Sequence, residues 1–222
     1  ILAAFLRCYT VSRDLQWFYD TDFYRDMSFV QGILNGHFGK DPTYLGEYIW
    51  YNPLLTLVET GIVKLTGLPV NIVLIRAGSY LNLGSPLCFF GMLLFLFKER
   101  VALTGLLSFL FLASGNIPFY CTATYSPWIY PGSFTQFVFY LNIIFCYLAY
   151  ATQKDYWFAI LGVGVGLSFL GHMAPTVIII LLLAVLHAGE IRTALKSKQP
   201  GSIKKYLLQA LFVFLPFVIV SF

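Results

Sequence analysis

The stretch Tyr156–Gly189, YWFAILGVGVGLSFLGHMAPTVIIILLLAVLHAG, decides the class of this protein. Its 34 residues contain no Asp, Glu, Lys or Arg. A helix rises about 1.5 Å per residue and crosses the hydrocarbon core in roughly 20 apolar residues, so one straight span has no use for this length. Gly171 and His172 lie at the midpoint and Pro175 follows. That punctuation predicts two short spans, 156–171 and 173–189, meeting at a turn.

The rest of the chain has the same character. Of its 222 residues, 59% are hydrophobic, 18% aromatic and 11% charged, with mean hydropathy +0.76. Soluble domains carry about 25% charged residues, so the composition excludes a soluble enzyme, a disordered chain and a nucleic-acid binder. A formal charge of +4, scattered along the chain, does not make a phosphate-tracking surface. Cys8, Cys88, Cys121 and Cys146 form no CxxC pair, which argues against a zinc site or a disulfide framework. Only a Cys8–Cys121 crosslink stays open.

Further spans are expected at about 72–97, 101–117, 132–151 and 206–222, and Ile1–Leu6 reads as the end of a first span. No methionine precedes Ile1, and Phe222 falls inside an apolar run, so the chain is expected to be a piece of a longer protein, truncated at both ends. The expected fold class is an all-α integral membrane protein, a polytopic helical bundle.

Basic residues set the orientation. If Lys98-Glu99-Arg100, Lys154 and Arg192–Lys205 face the cytoplasm, positive-inside counting is satisfied. Residues 7–71, 114–131 and the Gly171-His172 turn then face the other side. A single span over 156–189 would separate Lys154 from the basic run 192–205, and two spans remove that conflict. The run 192–205 suits anionic lipid headgroups. Seven of the ten acidic residues, Asp14, Asp20, Asp22, Asp26, Asp41, Glu47 and Glu59, fall in the first external loop.

That loop, 7–71, is too long for a simple connection. Phe23, Met27, Val30 and Leu34 recur at helical spacing, with Arg25, Asp26, Ser28 and Gln31 on the other faces. This predicts an interfacial amphipathic helix at about 21–35. A second is expected at about 53–66, where Glu59 and Lys64 argue against a span. Asp20 and Asp22 stand at the start of the first helix. There they suit two roles, caps of that helix or a general base for an acceptor hydroxyl.

Four segments in order carry a resemblance: Tyr19-Asp20-Thr21-Asp22-Phe23-Tyr24, Trp50-Tyr51-Asn52-Pro53-Leu54-Leu55, Arg76-Ala77-Gly78 and Gly166-Leu167-Ser168-Phe169-Leu170-Gly171-His172. Their order resembles the GT-C superfamily of multispan glycosyltransferases, in particular the protein O-mannosyltransferase and lipid A aminoarabinose transferase group. The resemblance implies a GT-C-type transmembrane domain over 1–222 and a sugar donor linked to a polyprenyl phosphate. It implies inverting transfer on the extracytoplasmic face, with an Asp of the first external loop as base. By position that is Asp20, assisted by Asp22.

His172 and Arg76 are the candidates for holding the donor phosphate. His172 equally suits a bond to backbone freed at the turn, and Arg76 a snorkelling end of its span. Glu47, Tyr125 and Trp128 are candidate substrate-lining residues; Glu47 also reads as a solvated loop acid, and the aromatics as an interfacial belt. Asn116, Tyr120 and Tyr130 belong to the same aromatic loop. No cofactor is expected, although Asp20 and Asp22 offer two ligands to a divalent metal. The expected partners are the lipid-linked donor, a lipid, glycan or protein acceptor, and membrane lipids, with no nucleic acid. A bacterial or archaeal plasma membrane is preferred over the endoplasmic reticulum. The alternatives are a multispan transporter or flippase of lipid-linked substrates and a non-catalytic membrane subunit.

Overall fold

The computed structural model describes residues 1–44, 46–112, 125–196 and 200–221. Among them the regular elements are all helices, with no strand beyond an isolated Lys40–Tyr48 bridge. Four helical stretches are long and apolar enough to cross a membrane: Val70–Leu96, Pro131–Thr152, Met173–Lys196 and Ile203–Ser221. Two further apolar helices, Leu2–Ser12 and Asp155–Gly171, are shorter. The chain divides into two compact units, Ile1–Phe137 and Val138–Phe222.

The first unit holds α1 (Leu2–Ser12), α2 (Thr21–Leu34), α3 (Leu54–Thr66), α4 (Val70–Leu81), α5 (Gly84–Leu96) and α6 (Glu99–Phe111). Several bounds differ from the expected ones. α1 runs through Arg7 to Ser12 instead of ending at Leu6, because nothing between Arg7 and Ser12 breaks a helix. The span expected over 72–97 is interrupted at Asn82-Leu83. The helix expected over 101–117 is α6, starting at Glu99; the end of that range, with Asn116, Tyr120 and Cys121, lies outside the described residues.

Local sequence explains the two helices between α1 and α4. The Asp20 carboxylate caps α2 by accepting from the Asp22 amide at 3.1 Å. α3 follows Pro53 and ends at Gly67, whose φ of 67° is the left-handed conformation that glycine takes without a side-chain clash. Their apolar faces meet α4: Phe23, Val30, Leu74 and Ile75 form one cluster, and Leu55, Val73, Ala77, Ile129 and Phe134 another. Asp26 and Glu59 depart from expectation. Read as polar-face charges, they are 5% and 1% exposed. Asp26 follows Phe23 by one helical turn and so flanks the apolar stripe, on the side where α3 packs.

The second unit contains most of α7 (Pro131–Thr152) and all of α8 (Asp155–Gly171), α9 (Met173–Lys196) and α10 (Pro200–Ser221). Two helices do meet at a turn where the long apolar stretch is punctuated. His172 is extended, with φ −165° and ψ 137°, and Pro175 sits in the first turn of α9, where no intrahelical amide is lost. α9 continues past residue 189 to Lys196, so Arg192–Lys196 is helix.

The glycines of α8 have a packing reason. A Cβ at Gly162 would stand 2.3 Å from the Val213 carbonyl oxygen of α10, and one at Gly164 2.0 Å from Asn142 Oδ1 of α7. Small residues let helix backbones approach in an apolar medium. Gly162→Ala should therefore cost about 1–3 kcal/mol through overpacking, read as a lowered melting temperature in detergent.

Candidate functional site

The site lies in the first unit, where three segments converge. The first is the start of α2. The Asp20 carboxylate is half-buried and is held twice: Oδ1 accepts from the Asp22 amide at 3.1 Å, and Oδ2 accepts from the Tyr130 hydroxyl at 2.5 Å. The helix N-terminus favours negative charge at this position.

One turn on, Arg25 gathers the other carboxylates. Its guanidinium meets Asp22 at 2.7 Å and Asp26 at 2.8 Å, and lies 4.1 Å from the centre of the Tyr51 ring. Sandwiched between two acids and an aromatic face, the guanidinium is fixed in place. Burial pushes Asp26 up to about 6, and the neighbouring Asp22 and Asp20 push the same way, while Arg25 opposes them.

The second segment is α3, which supplies Glu59. Both of its carboxylate oxygens are buried and have no hydrogen-bond partner among the described residues. Burial holds this carboxyl well above the usual range, and the charge of Asp26 adds to it. Asp26 and Glu59 face a cavity of ≈ 20 Å³, measured for the centre of a water, beside Phe18, Trp128, Tyr130 and Ile75. That is room for about one water molecule.

The third segment, 125–130, is strapped to α4 and the break after it. The Asn82 side-chain amide donates to the carbonyls of Ser126 (2.9 Å) and Trp128 (2.8 Å). Tyr125 donates its hydroxyl to the Ser79 carbonyl at 2.6 Å. Gly78 makes room: a Cβ there would lie 2.1 Å from the Pro127 carbonyl oxygen. The strap sets Trp128 against Phe18, ring centroids 4.3 Å apart and 21° from parallel, and brings Tyr130 to Asp20.

The expected site residues separate under this geometry. Asp20 is joined to the site through Tyr130, which lines the cavity together with Trp128; Asp20 itself is not among the lining residues. Asp22 is engaged by Arg25. Tyr125 is a core residue, buried with Cys8, Leu106 and Leu110, so it anchors the strap and does not line the cavity. Glu47 is exposed in a turn where its carbonyl accepts from the Asp41 amide at 3.0 Å, and it is not among the cavity-lining residues. Arg76 is half-buried on α4, with its Nε buried and unpartnered among the described residues.

His172 belongs to the second unit. Its Nδ1 accepts from the Ala174 amide at 3.2 Å, so the ring caps α9. The bond freed at the turn is thus an amide taken by the ring. No group of three or more His, Cys, Asp or Glu among the described residues is placed to hold a metal ion. Asp20 and Asp22 in particular are already paired elsewhere.

Sequence reasoning missed Arg25, Asp26 and Glu59 as site residues, and placed Tyr130 among the loop aromatics without its partner Asp20. For Asp26 and Glu59 the available signal was an acid at helical spacing from apolar neighbours. For the pairing of Tyr130 with Asp20 there was none, since the two lie 110 positions apart. Compared with known protein families, curated proteins and solved structures, the chain matches none.

The Asp26 shift has a measurable consequence. Unfolded, this group ionises near 3.8; folded, at about 6. Between those values the folded protein keeps a proton that the unfolded chain has lost. The stability this contributes is whole below the lower value and is lost as pH rises through the upper one. The melting temperature should therefore fall as pH rises through this window, and Asp26→Asn should flatten the dependence there.

Proposed function

We propose that this chain is part of a membrane glycosyltransferase of the GT-C type. It transfers a sugar from a polyprenyl-phosphate carrier to an acceptor hydroxyl on the extracytoplasmic face, with α2 and α3 lying in the membrane interface. The observation that carries this reading is the Asp20 carboxylate, half-buried outside the apolar stretches and bonded to the hydroxyl of a cavity-lining tyrosine. A half-exposed ionised carboxylate reaches an incoming hydroxyl, and Tyr130 aims it.

In an inverting step the acceptor oxygen attacks the anomeric carbon. The bond from that carbon to the phosphate oxygen breaks, and the lipid phosphate leaves with the electron pair. The acceptor proton passes to Asp20. Trp128, backed by Phe18, offers an aromatic face to the C–H edge of a sugar. Arg76 offers a phosphate an Nε with no protein partner among the described residues, while His172, whose Nδ1 is taken by the Ala174 amide, offers only Nε2.

The test is label transfer from a panel of polyprenyl-phosphate sugars by the protein in liposomes. A covalent product is expected; no product from any donor overturns the reading. Tyr130→Phe should reduce the rate by about 10–100-fold, the loss of one hydrogen bond to a charged group, with the donor KM little changed.

The interruptions at Asn82-Leu83 and His172 favour a rival, a transporter of lipid-linked substrates. Labelled donor appearing on the other leaflet, without any covalent product, would establish it instead.

A further inference from the structure

Glu59 is a carboxyl with no counter-charge. It is 1% exposed, both oxygens lack a partner among the described residues, and the charged group that acts on it is Asp26, of the same sign. Arg25 is committed to Asp22, Asp26 and the Tyr51 ring. Of the two carboxyls that line this cavity, Asp26 is paired with that guanidinium and Glu59 is not. A buried carboxyl without a partner keeps its proton until a cation arrives to pair with it.

The cavity beside Glu59 is water-sized, and its other walls combine aromatic rings, Phe18, Trp128 and Tyr130 among them, with the aliphatic Leu74, Ile75 and Ile129. Rings of this kind attract a cation through their faces. We infer that the Asp26–Glu59 cavity is a binding site for a small monovalent cation, either an alkali ion or the ammonium end of a larger molecule. Glu59 supplies the charge by giving up its proton as the cation binds, Asp26 reinforces it, and Trp128 with Tyr130 closes the aromatic side. The site is independent of the transfer reading, since it needs neither a sugar donor nor a reaction.

The test uses the protein in detergent, titrated with sodium, potassium or methylammonium chloride. Choline chloride, too large for the cavity, controls for ionic strength. Trp128 emission and the melting temperature are followed. At least one of the three small cations should give a saturable one-to-one change in emission and a raised melting temperature, with choline inert. Response to sodium or potassium identifies the alkali source, and response to methylammonium alone identifies the ammonium source.

Glu59→Gln, which keeps the shape and removes the charge, should abolish the saturable change. If that variant does not fold, Trp128→Phe should remove the optical signal while Trp17→Phe and Trp50→Phe, both exposed positions, retain it. A response no greater than that to choline overturns the inference, as does a saturable change that persists in folded Glu59→Gln or in Trp128→Phe.

Discussion

Asp20→Asn is expected to abolish sugar transfer and leave the protein folded. Asp20 has two duties, capping α2 through the Asp22 amide and carrying the negative charge beside Tyr130. Asparagine caps a helix as well as aspartate does, with its one side-chain oxygen on the Asp22 amide and its NH2 group turned to donate to the Tyr130 oxygen. It does not take a proton. The rate should fall by about 10²–10⁴-fold, the usual worth of a positioned base, with the melting temperature close to that of the parent. Asp20→Ala loses both duties and should add a stability cost of about 1 kcal/mol. Full transfer by a folded Asp20→Asn protein would leave Asp20 as a cap and nothing more.

Gly78→Ala should produce the other large effect, through the fold. The added carbon would lie 2.1 Å from the Pro127 carbonyl oxygen, 2.8 Å from its carbon and 2.9 Å from the Ile129 nitrogen. All three atoms are backbone, so no side chain can swing aside. Either α4 or the strap must move, at a cost toward the upper end of overpacking, about 3 kcal/mol. Because Trp128 and Tyr130 ride on that strap, the 2.5 Å contact to Asp20 breaks with it. A lowered melting temperature, altered tryptophan emission and lost transfer should appear together. Gly91→Ala is the control: nothing lies within 4 Å of its added carbon, and alanine in a helix is favoured by about 1 kcal/mol. A Gly78→Ala protein that melts with the parent would contradict the packing described.

The helices were legible in the sequence where periodicity and punctuation agreed. Phe23, Met27, Val30 and Leu34 mark α2, and Pro53 and Gly67 bracket α3. Gly171 and Pro175 mark the turn at His172. Much of the site was not legible, for three physical reasons. Burial of a carboxyl depends on which helix faces it, and nothing in the local sequence around Glu59 states that α2 and Trp128 will close over it. The Asp20–Tyr130 pair joins residues with no shared local pattern. Tyr125 and Trp128 look alike as aromatic loop residues, yet Tyr125 is spent anchoring the strap while Trp128 reaches the cavity. His187, passed over beside His172, bonds to the Tyr150 hydroxyl within the second unit.

Asn82 ties the shape of a hydrophobic helix to the chemistry beside it. Its amide can hold the two carbonyls of the strap only while the helix is interrupted at that point. Straightening Val70–Leu96 into one continuous rod would close the gap and release Trp128 and Tyr130 together. A bilayer whose thickness rewards a straight helix would therefore act on Asp20 at a distance, with no ligand bound.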